Sequence, residues 1–296
     1  MSETLVFEPI PGLPDWRAAH VATTGSTNAD LAALVRERSA GEGRLWLTAG
    51  EQTQGRGRRG RPWSSPPGNL FGSLVLVDPA PVDRIGFLPL VTGLAVRDAV
   101  AAELGEGGPS IALKWPNDVL IDGAKCCGIL LESLSAPDGT NAVIIGCGIN
   151  VTSHPLDTPY PATHLTAHRP DATSRSLFHH LAGAFAKVLN DWNRGRNTTA
   201  IRERWLDHAR GRGQPLTVTL DNATHQGIFE DIDAYGYLIL RLPDGTILRA
   251  SGPPGVGPDQ AELGEGPREV RWHRAVVGWH PFSLGGPRTW AHQCIA

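Results

Sequence analysis

The sequence predicts an α/β (α+β) chain, in which a mixed sheet with flanking helices is followed by a small β-barrel. Three observations carry this expectation. The 296 residues are enough for one substantial core and a smaller module. From His20 to about Arg210, helical and strand periods of apolar residues alternate. From Gln214 onward the pattern changes to short strands with tight turns.

Residues 1–19, rich in acids and prolines, read as an irregular lead-in to a main domain over 20–210. Asn28–Ser39 reads as a helix, with Ser26 and Thr27 as candidate caps and Asp30 in its first turn. Arg44–Thr48 and Ser73–Val77 read as strands, and Thr92–Leu104 as a helix after them. Ile111–Lys114, Cys127–Leu134 and Ala142–Ile149 are further strand candidates. Ser176–Asn193 is the clearest amphipathic helix: Leu177, Phe178, Leu181, Phe185, Val188, Leu189 and Trp192 share one stripe, which is expected to be core. Over 211–252 four strands, Leu216–Leu220, Gln226–Ile232, Tyr237–Arg241 and Thr246–Ala250, are separated by Asp221-Asn222, Tyr235-Gly236 and Asp244-Gly245. Residues 253–296 show no periodic element and stay unassigned, either as a disordered tail or as a docked extension.

Composition narrows the class. With 41% hydrophobic and 19% charged residues the chain is that of a globular protein, and a net charge of −3 gives no global attraction to nucleic acid. Cys126, Cys127, Cys147 and Cys294 include no C-x-x-C pair, so neither a disulfide framework nor a zinc cage is indicated. Free buried thiols in a reducing cytoplasm are expected. The acidic, proline-bearing start lacks the basic and apolar regions of a signal peptide. No stretch approaches the roughly 18 apolar residues of a membrane span.

The most informative segment is Gln52-Thr53-Gln54-Gly55-Arg56-Gly57-Arg58-Arg59-Gly60-Arg61. It contains G-x-G-x-x-G, but polar residues precede it and Pro62, Pro66 and Pro67 prevent a following helix, so a dinucleotide fold is disfavoured. Arginines separated by glycines can instead close over a polyanion, with guanidinium forks and backbone N–H groups meeting phosphate oxygens. A solvated basic loop or a nucleic-acid arm is the alternative. Trp63 then offers a flat surface for an adenine, or is simply core. Nothing apolar within the loop itself is expected to anchor it.

A second segment, Lys114-Trp115-Pro116-Asn117-Asp118, ends a strand at Pro116. Val119–Ile121, a turn at Asp122-Gly123 and Lys125 follow, so that two lysines are expected near the ends of adjoining strands. Lysine among such apolar neighbours needs a partner. An ion pair with Asp118 or Glu132 and an anionic ligand both remain open. Cys147-Gly148-Ile149-Asn150 closes another strand with small residues.

Taken together, these residues resemble the biotin–protein ligases. The resemblance runs through Thr24-Gly25-Ser26-Thr27-Asn28, the Gln52 to Trp63 loop, Lys114 to Asp118, Gly123-x-Lys125-x-x-Gly128-Ile129-Leu130-x-Glu132 and Gly146-x-Gly148-x-Asn150, with Gly227 and Asp231-Ile232-Asp233 matching more loosely. It implies a fold related to class II aminoacyl-tRNA synthetases followed by an SH3-like barrel. It also implies the chemistry, in which biotin and Mg2+-ATP give biotinyl-5′-AMP, and a lysine of a biotin carboxyl carrier protein then takes the biotinyl group. On that resemblance Lys125 and Arg58 are the catalytic candidates. Ser26, Thr27, Asn28, Gln52, Arg56, Gly57, Arg58 and Lys125 would contact biotin. Arg56, Arg58, Arg61, Trp63, Lys114, Asn117, Asp118 and Asn150 would contact ATP, and no protein-held metal is assigned. Only about 20 residues precede the first motif, so a monofunctional ligase without the winged-helix repressor domain is expected, as a monomer or homodimer. A lipoate–protein ligase is the nearest rival.

Overall fold

A computed structural model describes residues 5–37, 40–41, 43–220, 223–251 and 271–278. The residues expected to be an irregular lead-in instead open the sheet, as β1 (Glu8–Ile10) and β2 (Leu13–Thr24). The prolines are tolerated because β1 is an edge strand and Pro14 lies before Trp16, where pairing with the next strand begins. Only Trp16 and Ala19 of β2 are buried, so no two-residue period betrays it. After α1 (Thr27–Arg36) come β3 (Arg44–Gln52), β4 (Leu70–Val77), the short α2 (Val82–Ile85) and α3 (Leu88–Leu104). Then follow β5 (Ile111–Lys114), β6 (Asp118–Ile121), β7 (Ala124–Ser135), β8 (Asn141–Ile149), α4 (Ser174–Trp192) and α5 (Thr198–Asp207).

The eight strands form one sheet in the order β1-β2-β3-β4-β8-β7-β6-β5. Only β2 and β3 run parallel, which makes the sheet mixed, as expected. Its two faces are filled differently. Val143, Ile145, Cys147 and Ile149 of β8 join the cluster formed with α3 and α4, where Trp46 meets Phe178 and Phe185 edge-on at 5.7 and 5.2 Å. Ile144, one residue out of phase, meets Leu31 and Val35 of α1 with Leu45, Leu47 and Val75. On the same face Gly146 lies under Asn28 in the first turn of α1, and Gly148 and Gly128 lie under Trp63 of the following loop.

Local signals account for the helices. Thr173 caps α4 reciprocally with Ser176, and Asn193 ends it in the left-handed region at φ 50°. Ser26 does stand at the N-cap of α1, but its side chain makes no capping bond. The Thr27 N–H is met instead by Oε1 of Gln52 at 3.0 Å, so β3 caps α1 from outside.

The second unit is a closed barrel of β9 (Pro215–Leu220), β10 (Ala223–Ile232), β11 (Leu238–Arg241), β12 (Ile247–Ser251) and β13 (Arg271–Gly278). The last strand comes from the stretch the sequence left unassigned. It pairs parallel to β12 and antiparallel to β9, covering two edges that four strands would leave open. The Asp221-Asn222 turn, Cys294 and the remainder of 253–296 lie outside the described residues. Leu216, Phe229 and Leu238 of the barrel are continuous with the main core. Arg202 of α5 reaches the Asp231 carboxylate and the Ile232 carbonyl, and Trp115 Nε1 donates to the Gly236 carbonyl at 3.4 Å. No described helix is long and apolar enough to cross a membrane.

Phe185 is fully buried against Trp46. Phe185→Ala is expected to lower the unfolding free energy by about 3–5 kcal/mol, read from the shift of the urea midpoint at unchanged slope.

Candidate active site

The floor of the site is backbone. Gly128 of β7 and Gly148 of β8 face each other across the ladder. A Cβ on Gly148 would lie 2.5 Å from Nε1 of Trp63, and one on Gly128 would lie 2.8 Å from its ring. The indole therefore occupies space that any other residue pair would fill. It also anchors the arginine-glycine loop, which the sequence left without an apolar hold. That loop folds back on itself through an Arg56–Pro62 bridge, with Gly57 N donating to Arg61 O at 2.7 Å and Trp63 N to Gly55 O at 2.9 Å. A strand does precede it, since β3 runs to Gln52, but only the 3-10 turn Arg58–Gly60 follows. The dinucleotide fingerprint thus lacks its helix.

Arg56 and Arg61 are exposed at the rim. Arg58 turns inward and donates to Oδ1 of Asn117 at 3.1 Å. Asn117 is itself held by β7, donating to the Ile129 carbonyl at 2.8 Å while its own carbonyl accepts from Ile129 N at 3.0 Å. The two lysines do not stand on adjoining strands: β6 runs between β5 and β7, and it carries Asp118. Lys125 Nζ lies 2.8 Å from Oδ1 of Asp118, so of the two partners considered Asp118 is the one used. Burial pulls the Lys125 ammonium down, but the charge and hydrogen bond of Asp118 outweigh it and hold the group above its ordinary value of 10.5. Lys114 is pushed below that value, chiefly by burial, with Asp118 opposing and Lys125 adding repulsion.

Tyr160, which sequence reasoning missed, completes the surroundings of Lys125. The ammonium lies 5.2 Å from the centre of its ring and 5.5 Å from that of Trp63. Residues 161–163 run beside β7, with Lys125 N donating to Pro161 O at 2.8 Å and Thr163 N to Lys125 O at 2.9 Å. Asn150 fastens this segment: its Nδ2 donates to the Thr163 carbonyl at 3.0 Å, so the amide is engaged within the fold.

A chain of uncharged polar side chains, ending on the Glu132 carboxylate, lies on the other side of the indole. Asn28 donates to Glu132 at 2.7 Å, Ser73 to Asn28 at 2.6 Å, and Thr27 contacts Ser73 at 2.6 Å. Thr27 N and Oγ1 approach Oε1 of Gln52 at 3.0 and 3.1 Å, and Gln52 donates to Ser65 at 3.1 Å. Ser26, Thr27, Asn28 and Ser73 are all buried. A Cβ on Gly146 would lie 2.5 Å from Oδ1 of Asn28, so a third glycine on the same sheet face gives this chain its room. The arrangement sets uncharged hydrogen-bonding groups on one side of Trp63 and cations on the other. Cys126 and Cys147 are free and buried, their thiols pushed up to about 12 by burial, and Cys127 is raised likewise. They stay protonated and supply no nucleophile.

Residues 39–150 match the Biotin/lipoate A/B protein ligase family, and residues 212–252 match the Biotin protein ligase C terminal domain. A biotin--[acetyl-CoA-carboxylase] ligase of Paracoccus denitrificans is 38% identical over 236 residues, which span 76% of this chain and 94% of that protein. The biotin protein ligase of Aquifex aeolicus, solved in complex with biotin and ATP, shares the fold at a TM-score of 0.67 and 24% identity, over 81% of this chain and 96% of that one. The enzyme of Leishmania major in complex with biotinyl-5-AMP aligns at a TM-score of 0.57 and 25% identity, over 78% and 96%.

Asp118→Asn removes the two largest influences that raise Lys125 and leaves burial opposed only by the smaller effects of Tyr160 and Cys127. Lys125 is then expected to titrate below 10.5 rather than above it, as read by 15N-lysine NMR across the alkaline range. In the unsubstituted protein the stabilisation from this raised group is complete below 10.5 and is lost only as pH climbs through the higher folded value.

Proposed function

Because the chain belongs to the biotin protein ligase family, we propose that it activates biotin with ATP and transfers it to a lysine of a biotin carboxyl carrier domain. The observation that carries this reading is one sheet face that holds the cations Arg58, Lys114 and Lys125 about Asn117 and Asp118, with Lys125 against Trp63, beside the uncharged side chains of Thr27 and Gln52. The first suits two anions that must be brought together. The second suits a polar, uncharged head group.

In the first step a biotin carboxylate oxygen attacks the α-phosphorus of ATP, the bond to the β-phosphate oxygen breaks, and pyrophosphate leaves. Both reactants are anionic. Lys125, kept protonated by Asp118, lowers their repulsion, and Arg58 clamps the adenylate phosphate with Arg56 as the loop closes. Gly57 lets the loop backbone approach. Trp63 stacks the adenine, while Lys114, Asn117 and Asp118 border the triphosphate and Arg61 meets it from the rim. Asn150 acts at one remove, by fixing the segment that carries Tyr160. In the second step the carrier lysine attacks the acyl carbon, the C–O bond to phosphate breaks, and AMP leaves as the new amide nitrogen loses a proton. The enzyme contributes positioning and charge, with no covalent intermediate. Ser26, Thr27, Asn28 and Gln52 line the biotin head.

Magnesium enters with the nucleotide. Asp118, which Lys125 engages at 2.8 Å, is the carboxylate that would lie beside it, and the ion would supply charge neutralisation on the phosphates. The protein is proposed to act as a monomer or a homodimer. ATP as substrate and reduced thiols agree with a cytoplasmic setting.

Incubation with ATP, biotin and a carrier domain, read by intact mass, is expected to show one biotinyl group on the carrier. Lys125→Ala is expected to slow adenylate formation roughly 10²–10³-fold. Arg58→Ala should still form the adenylate but release or hydrolyse it faster. Calorimetric titration that gives tight lipoate binding and no biotin signal would replace this reading with the lipoate alternative.

A further inference from the structure

The hydrogen-bonded chain that runs inward from the exposed Glu132 has a direction, and the direction selects ligands. A carboxylate only accepts, so Asn28 must turn its Nδ2 toward Glu132, at 2.7 Å, and its Oδ1 toward Ser73, at 2.6 Å. Ser73 has one proton and gives it to Asn28. The 2.6 Å contact between Thr27 and Ser73 then requires Thr27 to be the donor. Gln52 Oε1, which accepts the Thr27 N–H at 3.0 Å, lies 3.1 Å from Thr27 Oγ1 and is a second, longer acceptor for the same proton. On either partner Thr27 is a donor within the fold, and its lone pairs face the ligand. At the far end Gln52 Nε2 donates to Ser65, and Ser65 donates to the Trp63 carbonyl, both at 3.1 Å. Every hydroxyl proton between Glu132 and Trp63 is thereby committed.

We infer that Glu132, acting through Asn28 and Ser73, fixes Thr27 as a hydrogen-bond acceptor and so makes the site selective for a head group bearing N–H donors. Neither Glu132 nor Ser73 need touch the ligand; they are positioning residues. The inference rests on the reading above that Thr27 lines the biotin head. A ureido ring brings two N–H groups to such an acceptor. A dithiolane brings none, and it would leave the oxygen of Thr27, only 3% exposed, without a donor. The same logic rejects a head group of identical shape that carries oxygen in place of N–H, because two lone pairs would then face each other. Ser73 is fully buried, between Leu74 on its own strand and the Gly146 it pairs with on β8, where an apolar residue would otherwise be expected.

The test is a cycle of dissociation constants measured by calorimetry for biotin and for its cyclic carbonate analogue, in which both ring N–H groups are replaced by oxygen. The unsubstituted protein is expected to favour biotin by roughly 10²–10³-fold. In Ser73→Ala the proton of Thr27 loses its 2.6 Å acceptor and keeps only the longer 3.1 Å contact with Gln52 Oε1, which also accepts the Thr27 N–H. It is then freer to rotate outward, and the preference is expected to fall at least roughly tenfold, chiefly through tighter carbonate binding. Glu132→Gln is exposed and of the same shape, so it leaves folding intact even where Ser73→Ala does not. It lets Asn28 flip, and the preference should fall there too. Biotin binding with an unchanged preference in Glu132→Gln and in folded Ser73→Ala overturns the inference and leaves the ligase reading standing. A protein that binds neither biotin nor its analogue while binding lipoate overturns both.

Discussion

Side chains leave a sheet roughly at right angles to it, so a flat group can reach the backbone only where neighbouring strands carry glycine at facing positions. Gly128 and Gly148 meet that condition, and Trp63 fills the space. The rest of the site follows from this contact. With the indole seated, the arginine loop is held at its base, Arg58 reaches Asn117, and Lys125 finds an aromatic face on one side. The opposite sheet face tolerates no such gap, because α3 and α4 must bury their apolar surfaces there. The same strands therefore alternate core residues and glycine with a period of two, as Cys147-Gly148-Ile149 shows.

Charge is arranged as economically as volume. One carboxylate, Asp118, stands among Lys114, Lys125 and, through Asn117, Arg58. Two lysines this close repel, and the outcome is unequal: the one in contact with Asp118 is held up, and the other is depressed by burial. A cluster with excess positive charge and little water around it gains when anions arrive, so binding energy is concentrated where phosphate and carboxylate must meet. The neutral side of Trp63 works by the opposite principle, as its groups are satisfied among themselves and discriminate by geometry instead of field.

Much of this was legible in the residues. The long amphipathic stripe from Leu177 to Trp192 is a core helix as its period indicates, and the loop of arginines and glycines suggests an anion site while leaving a solvated basic loop open. What failed did so for physical reasons. Strand β2 buries too few side chains to show a period. Tyr160 lies in a segment with no pattern of its own, made relevant only by backbone bonds to β7. The partner of Lys125 could not be chosen from sequence, because Asp118 and Glu132 are both within plausible reach and only the register brings one to the lysine and the other to Asn28. The glycines at 146 and 148 were visible, but their meaning depends on which face α1 leaves uncovered.

Strand β13 lies parallel to β12, its predecessor in the chain. Antiparallel neighbours can be joined by a short hairpin, whereas a parallel pair needs a longer connection, and 19 residues separate Ser251 from Arg271. During synthesis, therefore, the catalytic sheet and four barrel strands emerge while two strand edges still await β13. Until it is laid down those edges are open to any extended peptide nearby, so the barrel is protected by a strand made after the ones it shields.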